Sequence, residues 1–176
     1  KPRMLVDSHY NQRRAECQQA VELLQQRFPE VKSLRDVTME QLKDLSELLP
    51  PTLLRRTRHV VTENARVLAS LDAFRWDNLY AFGSLMLSSH LSLKEDFEVS
   101  CPELDFLVDM VMMQNGSLGA RLTGAGFGGC TVNLVETEQT EAIFARVGEK
   151  YREKFGLQAQ LYLCEAAEGA KVVWRE

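Results

Sequence analysis

The residues best suited to chemistry lie in one glycine-rich stretch, Gly124-Ala125-Gly126-Phe127-Gly128-Gly129. Four glycines in six residues permit positive φ and let backbone N–H groups approach an anion closely. Gly124, Gly126 and Gly129 also satisfy G-x-G-x-x-G, the dinucleotide fingerprint, which needs a helix directly after the loop. Here Cys130-Thr131-Val132-Asn133-Leu134-Val135 is alternating and rich in β-branched residues, the pattern of a strand, and this argues against a Rossmann site. The glycine loop of protein kinases would be accompanied by V-A-I-K, H-R-D and D-F-G, and none of these occurs. There is no Walker A motif. Spacing alone leaves two readings: a backbone anion site, or a tight hairpin that needs glycine for its shape.

Other reactive residue types are scattered. His9, His59 and His90 show no metal-ligand spacing, and the four cysteines contain no C-x-x-C pair. The cysteines have apolar neighbours and are expected to be free, buried thiols in a reducing compartment. Arg55, Arg56 and Arg58 suggest a nucleic-acid contact or a solvated helix face. With 21 Lys+Arg against 25 Asp+Glu, a net charge of −4, the solvated face is preferred. Glu103 and Asp105 resemble a carboxylate pair, but Ser100-Cys101-Pro102-Glu103 has the form of a capping box, so a helix-start role is expected.

The elements that must position the loop are mostly helical. Cys17, Ala20, Val21, Leu24 and Phe28 recur at helical spacing until Pro29. Thr38-Met39-Glu40-Gln41 reads as a capping box before Leu42, Leu45, Leu48 and Leu49. Val60, Val61, Val67, Leu68 and Leu71 mark a further helix. Trp76, Leu79, Tyr80, Met86 and Leu87 mark the next, and Leu104, Leu107, Val108, Val111 and Met112 another, stopped by Asn115-Gly116. Strands are predicted over Gly119–Thr123 and Thr131–Val135. A helix then carries Ile143, Phe144, Val147, Tyr151 and Phe155 to Gly156, followed by strands over Gln160–Cys164 and Lys171–Trp174. Six helices and four strands make an α+β domain with a small antiparallel sheet. At 45% hydrophobic and 26% charged, the 176 residues suit one folded unit and exclude disorder. No apolar run is long enough to cross a bilayer, and a cytoplasmic location without nucleic-acid or membrane partners is expected.

The segment Leu118-Gly119-Ala120-Arg121-Leu122-Thr123-Gly124-Ala125-Gly126-Phe127-Gly128-Gly129-Cys130 resembles the third, C-terminal motif of the GHMP small-molecule kinases, in its galactokinase form. Three other stretches are similar to the same family and keep its order. They are Ser8-His9-Tyr10-Asn11-Gln12-Arg13-Arg14-Ala15-Glu16-Cys17, Arg58-His59-Val60-Val61-Thr62-Glu63-Asn64-Ala65-Arg66, and Ser88-Ser89-His90 through Cys101-Pro102-Glu103-Leu104-Asp105.

The resemblance implies a ferredoxin-like GHMP kinase C-terminal domain over residues 1–176, with residues 1–10 at the junction with an N-terminal domain. It implies a complete enzyme that moves the ATP γ-phosphoryl to the C1 hydroxyl of galactose, with Mg²⁺ as cofactor. Sibling activity on N-acetylgalactosamine, or a non-catalytic sugar sensor, are the alternatives. The serine-rich phosphate loop and the sugar-binding G-E-H-T-D-Y type segment are not found here, and the family's catalytic aspartate belongs upstream. No catalytic or metal-binding residue is therefore assigned in these 176 residues, and the isolated chain is expected to be inactive. By the same resemblance, Tyr10 contacts the sugar, and Gly124, Gly126, Gly128 and Gly129 form a loop beside the phosphoryl-transfer site.

Overall fold

The computed structural model describes residues 6–165 and 167–172. The chain opens with helix α1 (Val6–Leu24), whose Ala20, Val21 and Leu24 bury against the turns that follow it. The capping box at Thr38 forms as predicted: the Gln41 N–H donates to Thr38 Oγ1 at 3.1 Å, and the Thr38 N–H donates to Gln41 Oε1 at 2.8 Å. The helix it starts, α2 (Met39–Asp44), is short and tightens into a 3₁₀ turn over Leu45–Glu47 ahead of Pro50-Pro51. Helix α3 (Pro51–Arg75) starts with proline at its first position, where no N–H is required. Leu53 and Val61 face the core, whereas Val67, Leu68 and Leu71 are exposed, so the second half of the apolar pattern is a surface feature.

Helix α4 (Leu79–Glu95) is capped by Asn78, whose Oδ1 accepts the Ala81 N–H at 2.9 Å. Trp76, expected within this helix, lies instead in the turn before it and is 83% exposed. Helix α5 (Pro102–Met112) begins at Cys101 rather than Ser100. The N-cap is thus one residue later than the capping-box pattern places it, and the Ser100 hydroxyl donates to the Asp105 carboxylate.

Strands β1 (Ser117–Thr123) and β2 (Cys130–Val135) form an antiparallel hairpin, with Thr123 opposite Cys130 at the mouth of the glycine bend. Helix α6 (Thr140–Phe155) ends at Gly156, as predicted. The α+β class and the small antiparallel sheet with packed helices are as expected, but the sheet has two strands among the described residues, not four. Residues 160–164 form no strand, and Leu161, Tyr162 and Leu163 are exposed. A strand is stabilised by its neighbours, and alternating residues without one do not hold the conformation. For the last predicted strand, Lys171 and Val172 are likewise not in a strand, and Val173 and Trp174 lie outside the described residues.

Three apolar clusters hold the elements together. One joins α1 to α3 through Ala20, Leu24, Val31, Leu45 and Val61. A second packs α5 and α6 on β1 through Val108, Val111, Ala120, Ile143 and Val147. The third sits behind the glycine bend and contains Leu93, Val99, Leu104 and Leu122, with Phe97 and Phe127 against it.

Candidate functional site

The six residues from Gly124 to Gly129 connect β1 to β2 directly. Gly124, Gly126, Phe127, Gly128 and Gly129 all have positive φ, between +58° and +124°. At Gly126 the glycine requirement is doubled, because a Cβ would also lie 2.2 Å from the carbonyl oxygen of Val99. The bend is thus pressed against Val99, and the Phe127 N–H donates to that same Val99 oxygen at 2.7 Å. The backbone conformation has a packing cause at this point. An anion role for the remaining N–H groups is a separate matter.

Helix α1 reaches the bend from the other side. His9 stacks on the Phe127 ring at a centroid distance of 5.0 Å, and the Arg13 guanidinium lies 6.0 Å from that ring. Tyr10 sits between them in sequence, on the same helical turn as His9, and is 55% exposed. Its phenol is therefore solvent-exposed and makes no core contact. Helix α1 therefore meets the bend at Phe127 through His9 and Arg13, the residues that flank Tyr10 on that helix.

A charge network lies beneath. Arg56 is buried, with Nε 2.6 Å from Glu16 Oε2 and Nη2 2.6 Å from Glu98 Oε2. This corrects the expectation that Arg56 belongs to a solvated face: only Arg55 and Arg58 keep substantial exposure. Burial pushes the Glu16 carboxyl up, but the Arg56 hydrogen bond and the charges of Arg13 and Arg56 outweigh it and hold it below the usual carboxylate range. Arg56 is correspondingly held as a cation by Glu16 and Glu98 against its own desolvation. Sequence reasoning missed this network. Its one local trace is the i,i+3 pair Arg13–Glu16 on α1.

The histidines take structural places. The His59 ring lies 3.0 Å from the Ser92 hydroxyl, and burial lowers its pKa to about 4. His90 accepts the Leu122 N–H on Nδ1 at 3.2 Å and turns Nε2 towards Asp105. Asp105 also pairs with Lys94 at 3.2 Å, so it braces the start of α5 against α4. All four cysteines are free, as expected, but none is fully buried: Cys17 and Cys101 are half-buried, and Cys130 and Cys164 are exposed. Among the described residues no group of three or more His, Cys, Asp or Glu is placed to hold a metal ion. The bend itself has no carboxylate to offer Mg²⁺, a cation that takes oxygen ligands, and what it presents is main chain.

Comparison with known proteins sharpens this picture. Residues 70–153, which include α4, α5, the hairpin and most of α6, match the family described as GHMP kinases C terminal. The chain is 46% identical to a galactokinase of Roseiflexus sp. over 95% of its own length and 43% of that protein. It is 44% identical to a galactokinase of Lactiplantibacillus plantarum over 97% of its length and 44% of that protein. A crystal structure of Lactococcus lactis galactokinase complexed with galactose superposes with a TM-score of 0.88 at 42% identity, over 92% of this chain and 42% of that one. The chain thus spans less than half the length of the relatives it matches.

Proposed function

We propose that this chain is the GHMP kinase C-terminal domain of a galactose-phosphorylating enzyme, a reading supported by the family match over residues 70–153 and by its similarity to galactokinases. Residues 1–176 are then the C-terminal domain, with residues 1–10 leading in from an N-terminal domain. The observation that carries the reading is the match along nearly the whole chain to a galactokinase solved with its sugar.

In the complete enzyme the C1 hydroxyl oxygen of galactose attacks the γ-phosphorus of ATP, the bond to the leaving ADP breaks, and the hydroxyl proton is released. Such transfers depend on positioning and charge stabilisation more than on covalent chemistry. This chain supplies positioning. Tyr10, exposed on α1, hydrogen-bonds the sugar through its hydroxyl, and the main chain of Gly124, Gly126, Gly128 and Gly129 walls the phosphoryl-transfer site. Mg²⁺ when bound would neutralise phosphate charge, and the residues that hold it lie outside the carboxylate-free bend. ATP dependence and free thiols suit a reducing cytoplasm, and no helix among the described residues is long and apolar enough to cross a membrane.

Tyr10→Phe in the complete enzyme removes one hydroxyl and leaves the ring. The KM for galactose is expected to rise roughly tenfold, the value of about one hydrogen bond, with the KM for ATP unchanged. An unchanged galactose KM would remove Tyr10 from the sugar site. Galactose binding without turnover by the parent protein would favour a sugar sensor over an enzyme.

A further inference from the structure

Residues 96–99 form a short bend between α4 and α5, and its four successive carbonyl oxygens are all held by donors from elsewhere. Arg56 Nη1 donates to Asp96 O at 2.6 Å. Arg13 donates twice, from Nε to Phe97 O at 2.6 Å and from Nη2 to Glu98 O at 3.0 Å. The fourth carbonyl, Val99 O, takes the Phe127 N–H of the glycine bend. Glu98 has a φ of +55°, a left-handed conformation that a non-glycine residue keeps only when its surroundings impose it. Here two guanidinium groups do so, with Glu16 fixing both: it lies 3.2 Å from Arg13 Nη1 and 2.6 Å from Arg56 Nε.

We propose that Arg13 is a positioning residue that locks the glycine bend to the helix carrying Tyr10. Its fork grips the main chain at residues 97 and 98, that segment grips Phe127 through Val99, and Arg13 and His9 close the circuit on the Phe127 ring. Tyr10 and the glycine bend then keep one fixed separation. Arg13 touches neither sugar nor phosphate and acts through the main chain it holds. A lysine retains the charge beside Glu16 but not the two parallel N–H bonds, so it cannot replace the fork.

The inference rests on the sugar-and-phosphate reading for its purpose, but not for its geometry, and the test separates the two. Amide hydrogen exchange is followed on the complete protein without substrate for the parent, Arg13→Gln and Arg13→Lys. In both variants, amides in residues 97–99 and 124–129 should exchange about tenfold faster or more, while those of α6, which packs in the separate cluster with α5, keep their parental rates. Galactose KM should rise and kcat should fall together, since both halves of the site lose their separation. A fold that is merely less stable gives fewer active molecules with KM unchanged. The lysine variant carries the test if the glutamine variant does not fold. Unchanged exchange in the bend, an equal rise throughout the protein, or an unchanged KM would each overturn the proposal. Absence of galactose-dependent turnover in the parent would defeat the enzymatic reading alone, leaving exchange to decide the coupling.

Discussion

At the scale of single residues, the protein depends on polar groups buried with specific partners. His59 titrates near 4 in the folded chain because burial disfavours its charged form, against 6.5 when exposed. The unfolded chain therefore binds more protons between these values, and stability falls as pH drops from 6.5 towards 4. It is fully present above 6.5. The loss approaches about 3 kcal/mol from this group, and His90, lowered by burial despite Asp105, adds in the same direction. Urea midpoints measured at pH 7.5, 6.0 and 5.0 should decline steadily, and a flat series across that window would contradict the buried neutral ring. Arg56 makes the complementary case. Arg56→Met leaves Glu16 without its closest cation and frees the Asp96 carbonyl, so a loss of roughly 3 kcal/mol is expected, measurable as a lower urea midpoint.

At the scale of elements, the hairpin is placed by contact of main chain on main chain. A Cβ on Gly83 of α4 would lie 1.8 Å from the Leu118 oxygen of β1, and one on Gly119 would lie 2.4 Å from Gly83 Cα. Helix and strand touch where neither has a side chain, beside the register irregularity between Ser117 and Gly119. Gly83→Ala must move α4 from β1 and should cost about 2 kcal/mol or more, seen as a lower Tm. Gly148, within α6, meets only Leu161 Cδ1 at 3.7 Å, so Gly148→Ala should be neutral or stabilise by about 0.5 kcal/mol. Equal effects at the two positions would contradict the packing account. Local elements were legible in the sequence because their causes are local: the Thr38–Gln41 cap, the glycine that ends α6, and the alternation of β2. Residues 160–164 were misread because a strand depends on a neighbour, which spacing does not reveal.

At the scale of the whole molecule, the bend and Tyr10 were legible as motifs, while what joins them was not. Arg56 reaches Glu16 across 40 residues and Glu98 across 42, so its burial is a product of the fold and leaves no pattern in the chain. The exposed Leu161, Tyr162 and Leu163 have the same origin, since their apolar character is visible and their partners are not. The proposed function rests on similarity to the C-terminal region of galactokinases and on a bend that offers main chain without carboxylates. Positioning of this kind accelerates nothing until the reacting groups are present. The most direct measurement is therefore galactose-dependent ADP release from ATP and Mg²⁺, run in parallel on the complete protein and on these 176 residues alone. The account predicts stoichiometric sugar phosphate and ADP from the complete protein and none from the 176 residues. Turnover by the 176 residues alone, or its absence from the complete protein, would contradict it.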